Sequence, residues 1–182
     1  MRRHLVAAPL CWALLTASGV AGVPAPPGYR MGDYRAPTPD TVPGGTVIHT
    51  DALKARLDHG GVALIDVLPA PRRPAGMRPG TPWMPEPHRD LPGSLWLPDV
   101  GWGAIGPALE AWFRDRLARA TDGNKDRAVV FYCRKDCWMS WNAAKRAASY
   151  GYRDVLWYPE GVDGWKEAGL ALREATPEAP PG

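Results

Sequence analysis

Residues 128–144 read AVVFYCRKDCWMSWNAA, and their reading decides the fold. Ala128 to Tyr132 are apolar and rich in β-formers without polar alternation, the mark of a strand buried on both faces of a parallel sheet. That strand delivers Cys133. A short polar loop follows, and Met139 to Tyr150 form an alanine-rich helix closed by Gly151. In open α/β sheets ligands bind beyond the carboxyl ends of strands. Loop amides aimed inward, backed by a helix N-terminus, make an anion-binding concavity. Such a field favours a thiolate at Cys133. Arg134 and Lys135 add positive charge to the loop, Asp136 offsets part of it, and Trp138 and Met139 complete the candidate binding segment. The competing reading is an inert cysteine buried at a strand end.

Working outward, the same alternation of types repeats. Val62–Val67 (VALIDV) is another nearly continuous apolar run, broken only by Asp66. Thr46–Ile48, Ser94–Leu97 and Val155–Tyr158 are short strands. Helices are expected over Asp51–His59, capped by Thr50 and ended by Gly60–Gly61, over Leu109–Ala120, and from Gly164 to Ala168. Strands alternating with helices predict a doubly wound α/β fold, a mostly parallel five-stranded sheet flanked by helices. The stretch from Leu68 to Asp90 is a long loop dense in proline and arginine, where Arg72, Arg73 and Arg78 either recruit an anion or form a solvated charge run. Asp66 orients the catalytic loop or bonds its own backbone. His88 lines the mouth of the site or is simply solvated. Trp141 is expected to pack the helix onto the sheet, and Ser140 to cap it.

The chain of 182 residues carries 21 prolines and 20 glycines, crowded outside the strands and helices just described. A net charge of +3 with scattered arginines excludes a nucleic-acid-binding stripe. Nine tryptophans are assigned to packing. At the amino end Arg2 and Arg3 precede an apolar run from Leu5 to Leu15, then small residues up to Gly22. This is the pattern of a cleavable signal peptide, too short to span a bilayer. The expected organisation is a signal peptide over 1–22, an extended proline-rich arm over 23–45 pinned by Tyr29, Met31 and Tyr34, a domain over 46–174, and a disordered tail over 175–182. Export to a periplasm follows, with no membrane attachment after cleavage. Removal of Cys11 leaves Cys133 and Cys137 in an oxidising compartment. A disulfide between them would close too small a loop to stabilise the scaffold, so the pair is read as chemistry. Cys137 is followed by Trp138, so no C-x-x-C-H haem attachment exists. No cofactor and no metal site are expected.

These segments carry a family resemblance. Ala128 to Leu172 resembles the carboxyl half of a rhodanese domain: a strand presenting the persulfide-forming cysteine, a loop and alanine-rich helix, a strand, then a glycine–tryptophan helix (EGVDGWKEAGL, 160–170). VALIDV resembles the family's aspartate-ended strand, and HRDLPGSLWLP (88–98) its histidine–proline–glycine segment. The resemblance spans Thr46 to Leu172. Gly28–Met31, Tyr34–Pro37 and Phe131–Ala147 are similar to exported rhodanese-like proteins called PQQ-dependent catabolism-associated CXXCW-motif proteins, although three residues separate the cysteines here. The resemblance implies an association with periplasmic quinoprotein dehydrogenases or a cytochrome c. In the family's cysteine–x–x–glycine–x–arginine pattern, this chain has Asp136 and Trp138 at the glycine and arginine. Met139 stands where related phosphatases need arginine, which argues against that activity. Three functions stay open. One is a sulfurtransferase with a persulfide on Cys133, resolved by Cys137, taking a small sulfur donor or thiol acceptor. The others are a dithiol redox or Cu(I)-handling protein and a non-catalytic binding module.

Overall fold

Strand β5 (Ala128–Tyr132) is buried along its whole length. It runs between β2 (Val62–Asp66) and β6 (Val155–Tyr158), with Ile65, Phe131 and Trp157 in register. The computed structural model describes residues 22–181, so the predicted signal segment falls, apart from Gly22, outside the described residues. Two short strands, β1 (Thr46–Val47) and β4 (Leu95–Trp96), complete a sheet of five parallel strands in the order β1-β6-β5-β2-β4. The α/β fold expected from the alternation of segments is the fold observed.

Side chains of successive strand residues point to opposite faces, so β5 serves two cores at once. Val129 and Phe131 pack with Phe113 and Leu117 of α2 (Pro107–Ala120) and with Trp141, Ala144 and Ala147 of α3 (Trp138–Ser149). Val130 and Tyr132 pack on the other face with Leu53 of α1 (Thr50–Asp58) and Trp165 of α4 (Gly161–Glu167). The chain leaves β2 toward β4 and leaves β5 toward β6. A crevice therefore opens beyond the carboxyl ends of β2 and β5, where the winding reverses.

Several local expectations are corrected. Helix α1 starts at Thr50 after His49, and the Thr50 hydroxyl hydrogen-bonds the Tyr158 hydroxyl at 2.8 Å instead of capping. Ser140 lies inside α3, where its Oγ donates to the Cys137 carbonyl and accepts from Trp157 Nε1; Cys137 is the residue before the helix. Met31 is 65% exposed, with its sulfur over Gly103, while the Tyr34 hydroxyl accepts from the Gly103 amide and its ring meets Trp102 edge-on. A two-stranded antiparallel pair, β3 (Arg89–Asp90) with β7 (Arg173–Glu174), adds a flap that the sequence reading did not contain. Beyond it, Ala175 and Glu178 donate backbone hydrogen bonds to His88 and Trp96. Among the described residues no helix is long and apolar enough to cross a membrane.

Candidate functional site

Cys133 is the first residue after the central strand, and Cys137 the last before α3. The two are joined by a disulfide with Cα atoms 6.3 Å apart. Both are buried, at 1% and 4% exposure. The loop between them is tied down from outside. The Cys133 carbonyl accepts from Val162 N–H at 3.0 Å, and Lys135 N–H donates to Asp163 Oδ2 at 2.9 Å. Trp138 N–H donates to the Tyr34 carbonyl at 2.9 Å. Two amides assigned by sequence to an inward ring are thus spent on α4 and on the arm. Gly161 is what lets α4 come so close. Its φ is +55°, and a Cβ there would sit 2.5 Å from the Cys133 carbonyl oxygen.

Asp136 has φ +55°, the left-handed conformation for which glycine is the default and aspartate one of the few tolerated substitutes. Its place in the resembled pattern is the glycine's place, so the departure in sequence preserves the turn. Arg134, Lys135 and Asp136 are exposed, while Trp138 and Met139 are buried. Trp138 is spent on packing: its Nε1 donates to the Pro37 carbonyl and its ring meets Trp141 edge-on at 5.3 Å.

A cavity of about 780 Å³ opens over this loop in the crevice between β2 and β5. Of the candidate residues it brings together Cys137, Arg134, Met139 and His88 on its walls; Cys133, Lys135, Asp136, Trp138 and Asp66 are not among its lining. Sequence reasoning missed Tyr34 and Arg35 from the arm, Trp96 from β4 and Trp102 from the loop after it. Arg35 forms an antiparallel bridge with Cys137, and its guanidinium donates to the Lys135 carbonyl at 2.7 Å. The one available signal was the Tyr34–Pro37 segment, whose likeness to the CXXCW-motif proteins named it without giving it a place.

His88 is not solvated. Its Nε2 hydrogen-bonds Asp66 Oδ2 at 2.6 Å, its side chain is 9% exposed, and its ring lies 4.3 Å from that of Trp96. Asp66 is fully buried and also accepts from Leu68 N–H at 2.8 Å. Burial drives its carboxyl above the usual range, opposed by the hydrogen bond and charge of His88. Beneath it, burial together with the negative field of Asp66 pushes the Tyr132 hydroxyl well above its ordinary value. Tyr132 therefore stays protonated and joins Ser94 and Leu91 as a structural link.

Among the described residues, no group of three or more His, Cys, Asp or Glu side chains could hold a metal ion. The arrangement can do sulfur chemistry: two sulfurs in bonding range, one facing a cavity with aromatic walls and a cationic rim. In comparison with known families, the rhodanese family, described as a rhodanese-like domain, matches residues 49–168. No curated protein matches the chain.

Proposed function

The chain belongs to the rhodanese-like domain family, and from that premise we propose that it transfers sulfane sulfur through a persulfide on Cys133. In the reduced protein the Cys133 thiolate attacks the outer sulfur of a thiosulfate-like donor. Sulfite leaves with the electron pair of the broken S–S bond, and Cys133 carries the added sulfur. Either an acceptor thiol takes that sulfur, or the Cys137 thiolate attacks Cys133 Sγ, expels hydrosulfide and closes the disulfide. The single observation supporting the second branch is the Cys133–Cys137 bond itself, which requires the two sulfurs to reach each other in this loop. Arg134 and the cavity beside Cys137 offer the donor an anion-binding approach.

The same bond supports a second reading, a dithiol carrier that exchanges electrons without sulfur. The assay separates them. Reduced protein given thiosulfate and cyanide is expected to form thiocyanate, and intact mass to show one added sulfur atom lost in Cys133→Ser. No thiocyanate and no sulfur adduct would leave the dithiol carrier and the non-catalytic binding module. Site and organisation enter the proposal together: a cleavable leader over 1–22, an arm over 23–45, a catalytic domain over 46–174 and a short tail over 175–182. We place the protein in a periplasm, among the CXXCW-motif relatives it resembles, serving a quinoprotein dehydrogenase or cytochrome c.

A further inference from the structure

We propose that the oxidised protein binds a small anionic thiol in the cavity, and that this thiol opens the disulfide at Cys137, not at Cys133. The inference rests on the reading of Cys133 and Cys137 as the working pair. It supplies the reductant class that returns them to the thiol state.

Which sulfur of a disulfide is attacked depends on access. Both cysteines are buried in the same core with Val129 and Phe131, but Cys137 forms part of the cavity wall and Cys133 does not. A thiol entering from solvent through this cavity therefore meets Cys137. The exchange balances. The incoming thiolate RS⁻ forms a bond to Cys137 Sγ, the Sγ–Sγ bond breaks, and Cys133 leaves as a thiolate. A second RS⁻ then attacks the mixed disulfide, releasing RSSR and the Cys137 thiolate.

The walls define the ligand. Trp96, Trp102, Tyr34 and Met139 give an apolar and aromatic surface. Arg35 and Arg134 stand on the rim, and among the described residues neither has a carboxylate in an ion pair, while Asp33 beside them pairs with Arg30 at 3.6 Å. Glu86 is the other carboxylate on the wall. Arg35 is already oriented by its bond to the Lys135 carbonyl, so little freedom is lost when it takes an anion. It also comes from outside the family's matched residues 49–168, so the arm supplies the recognition.

The probe is 4-mercaptobenzoate, mixed with the oxidised full chain, acid-quenched, maleimide-blocked and peptide-mapped. Expected is the mercaptobenzoate on Cys137 and maleimide on Cys133. An adduct on Cys133, or a disulfide that this thiol does not open, overturns the proposal. Rates follow with Arg35→Gln and Arg35→Lys against the neutral 2-mercaptoethanol, taking the wild-type-to-variant ratio for each thiol so that intrinsic reactivity cancels. Arg35→Gln should slow mercaptobenzoate about tenfold and leave mercaptoethanol within about twofold, a difference of the size one charge-assisted hydrogen bond provides. Arg35→Lys should restore part of the rate. Equal losses with both thiols overturn the role of Arg35. The thiocyanate assay on reduced protein is independent: it can fail while the Cys137 adduct forms, and the reverse.

Discussion

The domain and the arm hold their shapes by opposite means. The sheet is held by backbone ladders between β2, β5 and β6, with Phe131 and Trp157 fully buried. Residues 22–45 contain no helix and no strand, only a single bridge at Arg35. They are held by side chains of α3. Asn142 receives from Arg30 N–H and donates to its carbonyl, Trp141 Nε1 donates to Thr41, and Lys145 Nζ reaches the carbonyls of Pro26, Pro27 and Gly28. One region is built by hydrophobic burial; the other adds only Val42 to that core, with Val23, Tyr34 and Ala36 packed against it, and is otherwise fastened by individual bonds. The difference teaches where damage should spread: through the whole fold in the first, and only locally in the second.

The largest effect should come from Phe131→Ala, which empties a fully buried ring site on the central strand. A loss of about 3–5 kcal/mol in denaturant unfolding is expected. A loss below about 1 kcal/mol would break the contrast at its strong end. Gly161→Ala follows. It forces a Cβ to within 2.5 Å of a backbone oxygen at a positive φ, and should cost about 2–3 kcal/mol while disturbing the cysteine loop. Alkylation of the reduced cysteines, faster in the variant than in wild type, checks that second consequence. Asn142→Ala removes both ties to Arg30 and one to Gly101. It should cost about 1–3 kcal/mol and open the arm to proteolysis near residues 22–34, with the domain left intact. Cleavage inside the domain at the same rate would erase the distinction.

The smallest expected effect tests the pair formed by Asp66 and His88. Asp66 has its carboxyl raised above 3.8, so the folded protein holds that proton more tightly than the unfolded chain. Its contribution is therefore fully present below 3.8 and lost as pH rises through the raised folded value. The stability difference between wild type and Asp66→Asn should shrink across that window, with a slope no steeper than about 1.4 kcal/mol per pH unit. A difference that grows with pH would mean that the bond to His88 outweighs burial.

What could be read from sequence follows the same divide. VALIDV and AVVFY announce themselves because a strand buried on both faces must be apolar at every position, and the alanine-rich run after Cys137 because α3 is buried nearly all round. Strands β3 and β7 are two charged residues each, with no period to detect. His88 reads as either a mouth residue or a solvated one, since nothing local reveals a carboxylate 22 positions earlier. The placement of Arg35 against Lys135 spans 100 residues of chain and leaves no pattern at all. The nearness of the two cysteines is legible in their spacing; which sulfur meets the cavity is not.

The proline content of the arm has one more consequence. Residues 22–45 include six prolines, at 24, 26, 27, 37, 39 and 43, none of which has an N–H to offer. The proline-bearing stretches 24–27 and 37–43 are therefore poor templates for another chain's edge strand. The arm can still present carbonyls to the tryptophan, asparagine and lysine donors of α3. These stretches are thereby suited to their own helix and poorly suited to pairing with a neighbour, a useful property for a strip lying beside a disulfide.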